Sequence, residues 1–293
     1  MKGNRRGICA AVCALAFGPW SQFTAAQSAN APSAPPPVAS RLLTTLPSLS
    51  SDEKVQGDLA GREFAAGKYA DALVIYKALL ATHPQELVVA KLAAESEINT
   101  GEAKSALAHL QPIEASHPDD WQACALLARA YAETGDATHR DAEIARMADL
   151  HKRGVVPQRI DRYFLEKIHT NNKVVMIWHS LEPWGRYRVY DYARVYNSDG
   201  QLLSQLTLES SDFDQNLFAQ QQPNEAAKGV RLFSIDGYSD GPVTANGQHT
   251  ESHSTYDMVA GEPSYETVRE AFIDIAAGKP HHLDTSILFK KTQ

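Results

Sequence analysis

The 293-residue chain is 43% hydrophobic and 22% charged, the balance of a globular protein rather than a disordered one, and at roughly 100–200 residues per domain its length predicts two domains. A formal charge of −7 and a pI near 5.9 speak against nucleic-acid binding, which leaves a basic footprint. Three cysteines without a CxxC pair exclude a disulfide-stapled scaffold and give no sign of zinc or dithiol chemistry.

The chain opens with Lys2, Arg5 and Arg6, then an apolar run over residues 7–18, then the small residues Thr24 and Ala26. Basic, apolar and small in that order is the layout of a cleavable secretory signal peptide, here residues 1–26, with Gln27 as the new N-terminus. The apolar run is about a dozen residues where a membrane span needs ~20, so no retained transmembrane helix is expected and the address is periplasmic or secreted. Cleavage takes away three cations with Cys9 and Cys13, moving the formal charge from −7 to −10. Cys124 is then the only thiol, read as a small buried apolar side chain. Residues 27–50 are rich in Ala, Ser and Pro, with Pro35, Pro36 and Pro37 in a row, and read as a flexible linker.

From about Glu53 the composition turns to Ala- and Leu-rich helix, and it repeats. Gly67, Gly101 and Gly135 are spaced by 34, as are Pro84 and Pro118, Ala72 and Ala106, Tyr76 and Leu110, and Leu79 and Ile113. Each position fits a helix–turn–helix unit. The glycines stand where a first helix must end in a left-handed residue. Ala60, Ala94 and Ala128 before them, and Ala72 and Ala106 after them, let two helices approach closely. Tyr76 and Leu110 fill the groove between neighbours, and the prolines stop each second helix.

This pattern resembles the tetratricopeptide repeat family, in units at about 53–86, 87–120 and 121–153. Gly67, Tyr69, Ala72, Tyr76 and Pro84 match five consensus positions in the first unit, and Gly101, Ala106 and Pro118 match in the second. The third keeps Tyr131 and Gly135 but places Arg140 at the small-alanine position and Lys152 at the proline position. The resemblance implies stacked helix pairs whose first helices build a concave, partner-binding face. By register it assigns Lys54, Phe64, Lys91, Glu95, Ile98, Arg129 and Glu133 to that face. Gly57 and Gly61 replace the side chains with which the chaperone-binding members clamp a terminal carboxylate, which sets that role aside. The plainer alternative fills the groove with the chain's own C-terminal domain.

After Gly154 and Pro157 the period changes to that of strands. Runs at 163–169 and 173–181 flank the turn pair Asn171-Asn172, and runs at 187–196 and 202–208 flank Asn197-Ser198-Asp199-Gly200. Two more follow at 230–235 and 248–258, and then a helix from Ser264, an N-cap residue, to about Ala277 with Val268, Phe272 and Ile275 as its apolar stripe. The expectation is therefore an all-α repeat followed by an α+β domain over 160–293, an antiparallel sheet of about six strands with a C-terminal helix.

Between Trp178 and Tyr196 the strands carry Trp178, Trp184, Tyr187, Tyr190, Tyr192 and Tyr196, and alternation puts Tyr190, Tyr192, Arg194 and Tyr196 on one face as a candidate ligand platform. Cross-strand aromatic packing in a core is the plainer explanation. His249 and His253 lie about 13 Å apart on a strand at ~3.3 Å per residue, too far for one metal ion. His281-His282 reads as a solvated turn, and Glu209, Asp212 and Asp214 as a solvated acidic loop rather than a calcium site. Ser254, His253 and Asp257 share one short strand and cannot converge as a triad. No hydrolase elbow, zinc-protease helix, phosphate loop or dinucleotide fingerprint occurs, so neither a catalytic residue nor a cofactor is assigned. The functional expectation is an exported interaction protein that holds a protein or peptide partner. The alternative is an envelope enzyme or small-ligand binder with its site in the aromatic strands.

Overall fold

A computed structural model describes residues 38–181, 187–212, 215–240, 251–260 and 264–278. The expected signal segment, the first part of the linker, Trp184, Asp214, His249 and the His281-His282 pair lie outside these residues. Two compact units divide at Leu110 and Gln111.

The first unit begins with a correction. Residues 38–44, assigned above to a flexible linker, form helix α1 (Val38–Thr44). Its Leu43, and Leu49 just after it, are buried. Next come α2 (Ser51–Ala65), α3 (Tyr69–Thr82) and α4 (Leu87–Asn99), followed by α5 (Ala103–Ser116), within which the two units divide. Helix α2 starts on a capping box: Ser50 Oγ accepts from the Glu53 amide, and the Glu53 carboxylate accepts from the Ser50 amide at 2.9 Å. Those bonds, from the Ser50 amide and then its hydroxyl, followed by His83, hold the Glu53 pKa down to about 2. Gly67 takes φ +77°, and the Lys68 amide reaches back to the Glu63 carbonyl at 2.9 Å, closing the end of α2. The same closure recurs between Glu102 and Glu97 after α4. Ala60, Ala72, Tyr76 and Leu79 form the core between α2 and α3, with Phe64 edge-on to Tyr69.

The second unit contains α6 (Trp121–Thr134), α7 (Ala137–Lys152) and the strands β1 (Arg162–Thr170), β2 (Lys173–Ser180), β3 (Tyr187–Asn197) and β4 (Leu202–Asp212). Two short helices, α8 (Gln215–Gln221) and α9 (Pro223–Ala227), precede β5 (Leu232–Asp240), β6 (Glu251–Ala260) and α10 (Tyr265–Ala276). The strands form an antiparallel sheet in chain order. Asn171 and Asn172 both take positive φ, the turn that matches strand twist. Ser264 caps α10 through the Thr267 amide.

One core unites the helix pair with the sheet. Cys124, Ala125 and Ala128 of α6 and Met147 and Leu150 of α7 join Leu165, Val175, Ile177, Ala193, Val195, Leu206 and Leu208, with Val268, Ala271 and Phe272 of α10. The third helical hairpin therefore packs as part of the C-terminal unit, although its sequence continues the repeat. Arg140 shows the physical reason. At the position where earlier units carry a small alanine, its guanidinium lies 4.7 Å from the Tyr265 ring centroid and 3.0 Å from a Glu266 carboxylate oxygen. The side chain that breaks the consensus thus anchors α10.

Candidate functional site

Helix α1 rests on the face of α2 that bears Gly57 and Gly61, and it also touches α4. A Cβ on Gly61 would lie 2.4 Å from the Ser40 backbone nitrogen, and one on Gly57 would lie 3.0 Å from Leu43 Cβ. Ser40 Oγ donates to the Asp58 carbonyl at 3.1 Å. These two glycines had signified only missing clamp residues; here they admit a second helix backbone. The signal was their four-residue spacing, which aligns two small positions on one helical face.

The assigned groove residues of this unit divide by burial. Phe64, Glu95 and Ile98 are buried, whereas Lys54 on α2 and Lys91 on α4 stay half-exposed. Among the described residues the buried Tyr76 hydroxyl has no hydrogen-bond partner; burial, then Glu95, raises its pKa. Glu97, which no sequence motif singled out, has a fully buried side chain. It meets His109 Nδ1 at 2.9 Å and Lys77 Nζ at 3.3 Å, and the hydrogen bond to Glu97 raises the His109 pKa.

In the second unit, the two groove residues assigned on α6 face the chain's own sheet. Arg129 is 3% exposed, with its guanidinium 4.8 Å from the centroid of Phe164 on β1. Glu133 keeps an exposed edge, while desolvation of its carboxyl raises its pKa, Glu166 adding to the shift and Arg129 and Lys167 opposing it. At Arg129 an open groove is thus corrected: β1 occupies the place, its bulge between Phe164 and Glu166 giving these two side chains different partners, while Glu133 stays exposed. Glu166 points the other way, to Arg269 Nε at 2.9 Å and the Tyr265 hydroxyl at 3.2 Å.

The platform residues Tyr192, Arg194 and Tyr196 share a face of β3 and are half-exposed, while the side chain of Tyr190 lies outside the described set. Register extends the row to β1, which the run from Trp178 to Tyr196 did not include: Phe164, Trp178 and Tyr192 are cross-strand neighbours, with ring centroids 5.5 and 5.4 Å apart. Arg194 sits over the seam, 5.6 Å from the Trp178 ring and 5.5 Å from that of Tyr192, and its Nε donates to the Tyr192 hydroxyl at 2.6 Å.

Cys124 is buried, its thiol donating to the Glu143 carbonyl at 3.4 Å, and burial pushes its pKa up, away from nucleophile chemistry. Among the described residues no group of three His, Cys, Asp or Glu side chains is placed to hold a metal ion, and no helix is long and apolar enough to cross a membrane.

Comparison with curated proteins and with solved structures gives no match. Residues 63–130 match the family model described as Tetratricopeptide repeat. This matched stretch is a tetratricopeptide repeat segment, a type of structure that generally serves protein–protein interaction.

Proposed function

We propose that this is an exported interaction protein whose repeats hold a protein partner on the side of α2 and α4 that carries Lys54 and Lys91. The observation that carries the reading is the repeat segment itself, whose first helices leave Lys54 and Lys91 half-exposed; because α1 already lies on the stripe of α2 that bears Gly57 and Gly61, the partner would be held beside α1 rather than in an empty groove. Exposed charges at a protein interface set its register and on-rate, and this is the part the two cations would play. Arg129 belongs instead to the seat of the sheet, so the proposed surface is drawn on the first unit. Export rests on residues 1–26, and N-terminal sequencing of the protein recovered from the envelope should start at Gln27.

The test is charge reversal at Lys54 and Lys91 together in the full chain, followed by capture from envelope extract. Recovery of the principal partner should fall about tenfold, the loss expected when a complementary pair becomes a repulsive one. Unchanged recovery with unchanged helicity would refute the assignment. Reversal of Arg129 is not a binding probe, because a carboxylate over the Phe164 ring would unseat β1.

A further inference from the structure

Among the described residues, the buried or half-buried arginines of the second unit follow a rule with one exception. Arg129 faces Glu133, Arg140 pairs with Asp141 and Glu266, Arg146 with Glu114 and Glu143, and Arg269 with Glu166 and Glu266. Among the described residues no carboxylate pairs with Arg194. Its polar partners are the hydroxyls of Tyr192 and Tyr196, and its guanidinium lies across the Trp178–Tyr192 seam. Partial burial of a cation costs free energy that a carboxylate normally offsets, and in a chain of formal charge −7 acids are not scarce.

The surroundings specify what an incoming anion must bring. Strands β2 and β3 are interior, with backbones paired on both sides, so an extended peptide finds no main-chain partners there as it would at a sheet edge. The row supplies ring faces instead, with Gln205 accepting from the Tyr192 hydroxyl, and a second cation, Arg162, 5.7 Å from the Tyr192 ring and paired to Asp161. The helix α10 covers the opposite side, the one with Ile177 and Ala193. Electron-rich ring faces attract the weakly positive C–H face of a pyranose, and a guanidinium fork takes a carboxylate in two parallel bonds.

We propose that the aromatic face of β1, β2 and β3 binds an acidic saccharide: a uronate carboxylate pairs with Arg194 and the sugar ring stacks on the row beside it, chiefly on Trp178. Calorimetric titration of the full chain tests this with trigalacturonate, the neutral maltotriose and an oligoglutamate peptide. Trigalacturonate should bind and the other two should bind about tenfold more weakly or not at all. Arg194→Gln should lower trigalacturonate affinity about tenfold with the melting curve unchanged, and Arg194→Lys should restore only part of it, since a point charge lacks the fork. Trp178→Ala should lower it as well. Absence of trigalacturonate binding, or indifference to Arg194→Gln, overturns the proposal. Equal binding of oligoglutamate also overturns it, in favour of an unspecific anionic surface.

Discussion

Replacing Gly61 by alanine separates packing from helix propensity. On propensity alone, Gly→Ala inside α2 stabilises by about 1 kcal/mol. The new Cβ would stand 2.4 Å from the Ser40 nitrogen and 2.6 Å from its Cα and Oγ. Carbon contacts settle near ~3.5 Å, so α1 must retreat by about 1 Å, and the obstacle is backbone that no rotamer change removes. Overpacking of that kind costs about 1–3 kcal/mol, and a retreat that re-exposes Leu43 adds up to about 2 kcal/mol. The net expectation is a loss of about 2 kcal/mol. Gly57→Ala meets Leu43 Cβ at 3.0 Å, a contact that a few tenths of an ångström relieve, and its two contributions should nearly cancel. Both variants carry the same propensity gain, so the difference between them reports the seat of α1. Urea unfolding followed by far-UV ellipticity gives the midpoints, and amide exchange across residues 38–44 reports whether α1 is docked. If Gly61→Ala stabilises as much as Gly57→Ala, with exchange of α1 unchanged, the close approach of α1 to α2 is refuted.

Removing the unpartnered Tyr76 hydroxyl, as Tyr76→Phe, should raise stability by about 1 kcal/mol, because a buried donor without an acceptor is deleted at constant shape; a fall in the unfolding midpoint would contradict this. The raised His109 pKa means that its pairing with Glu97 contributes fully below the unfolded-state value near ~6.5 and fades as pH rises through the folded-state value. The stability gap between the native chain and His109→Asn should therefore be larger at acid than at alkaline pH, and a gap independent of pH would count against the pair. Glu166→Ala leaves Arg269 with only its longer pair to Glu266, and should cost about 2 kcal/mol, less than a fully buried pair because Arg269 keeps a quarter of its side chain in solvent. The same melting comparison with the double variant Glu166→Ala/Arg269→Met, which removes both charges, should show a smaller loss.

The order of elements, repeat helices followed by an antiparallel sheet, was legible because its signals are local. Gly67, Gly101 and Gly135 adopt the left-handed helix ends their spacing required, and Asn171-Asn172 and Ser264 make the turn and the cap their chemistry favours. What escaped was decided by distant partners. Residues 38–44 are too short to show a helical period, and their burial comes from the approach to Gly57 and Gly61 of α2. Arg140 was visible as a departure from the repeat, but nothing nearby in the chain indicated Tyr265 and Glu266 as its partners. Phe164 joins Trp178 and Tyr192 only through strand register, and the bulge after it hides Glu166 from any alternation pattern.

Photo-crosslinking bears most directly on the claim that the repeats receive a partner on α2 and α4. A photoreactive residue placed in the full chain at position 91, at position 129, or at position 74, where Val74 is 70% exposed on α3, reports which surface a partner touches in the envelope. The account predicts protein adducts from position 91, with none from 129 beyond links within the chain and none from 74. Adducts confined to position 74, or partner adducts from 129, would contradict it.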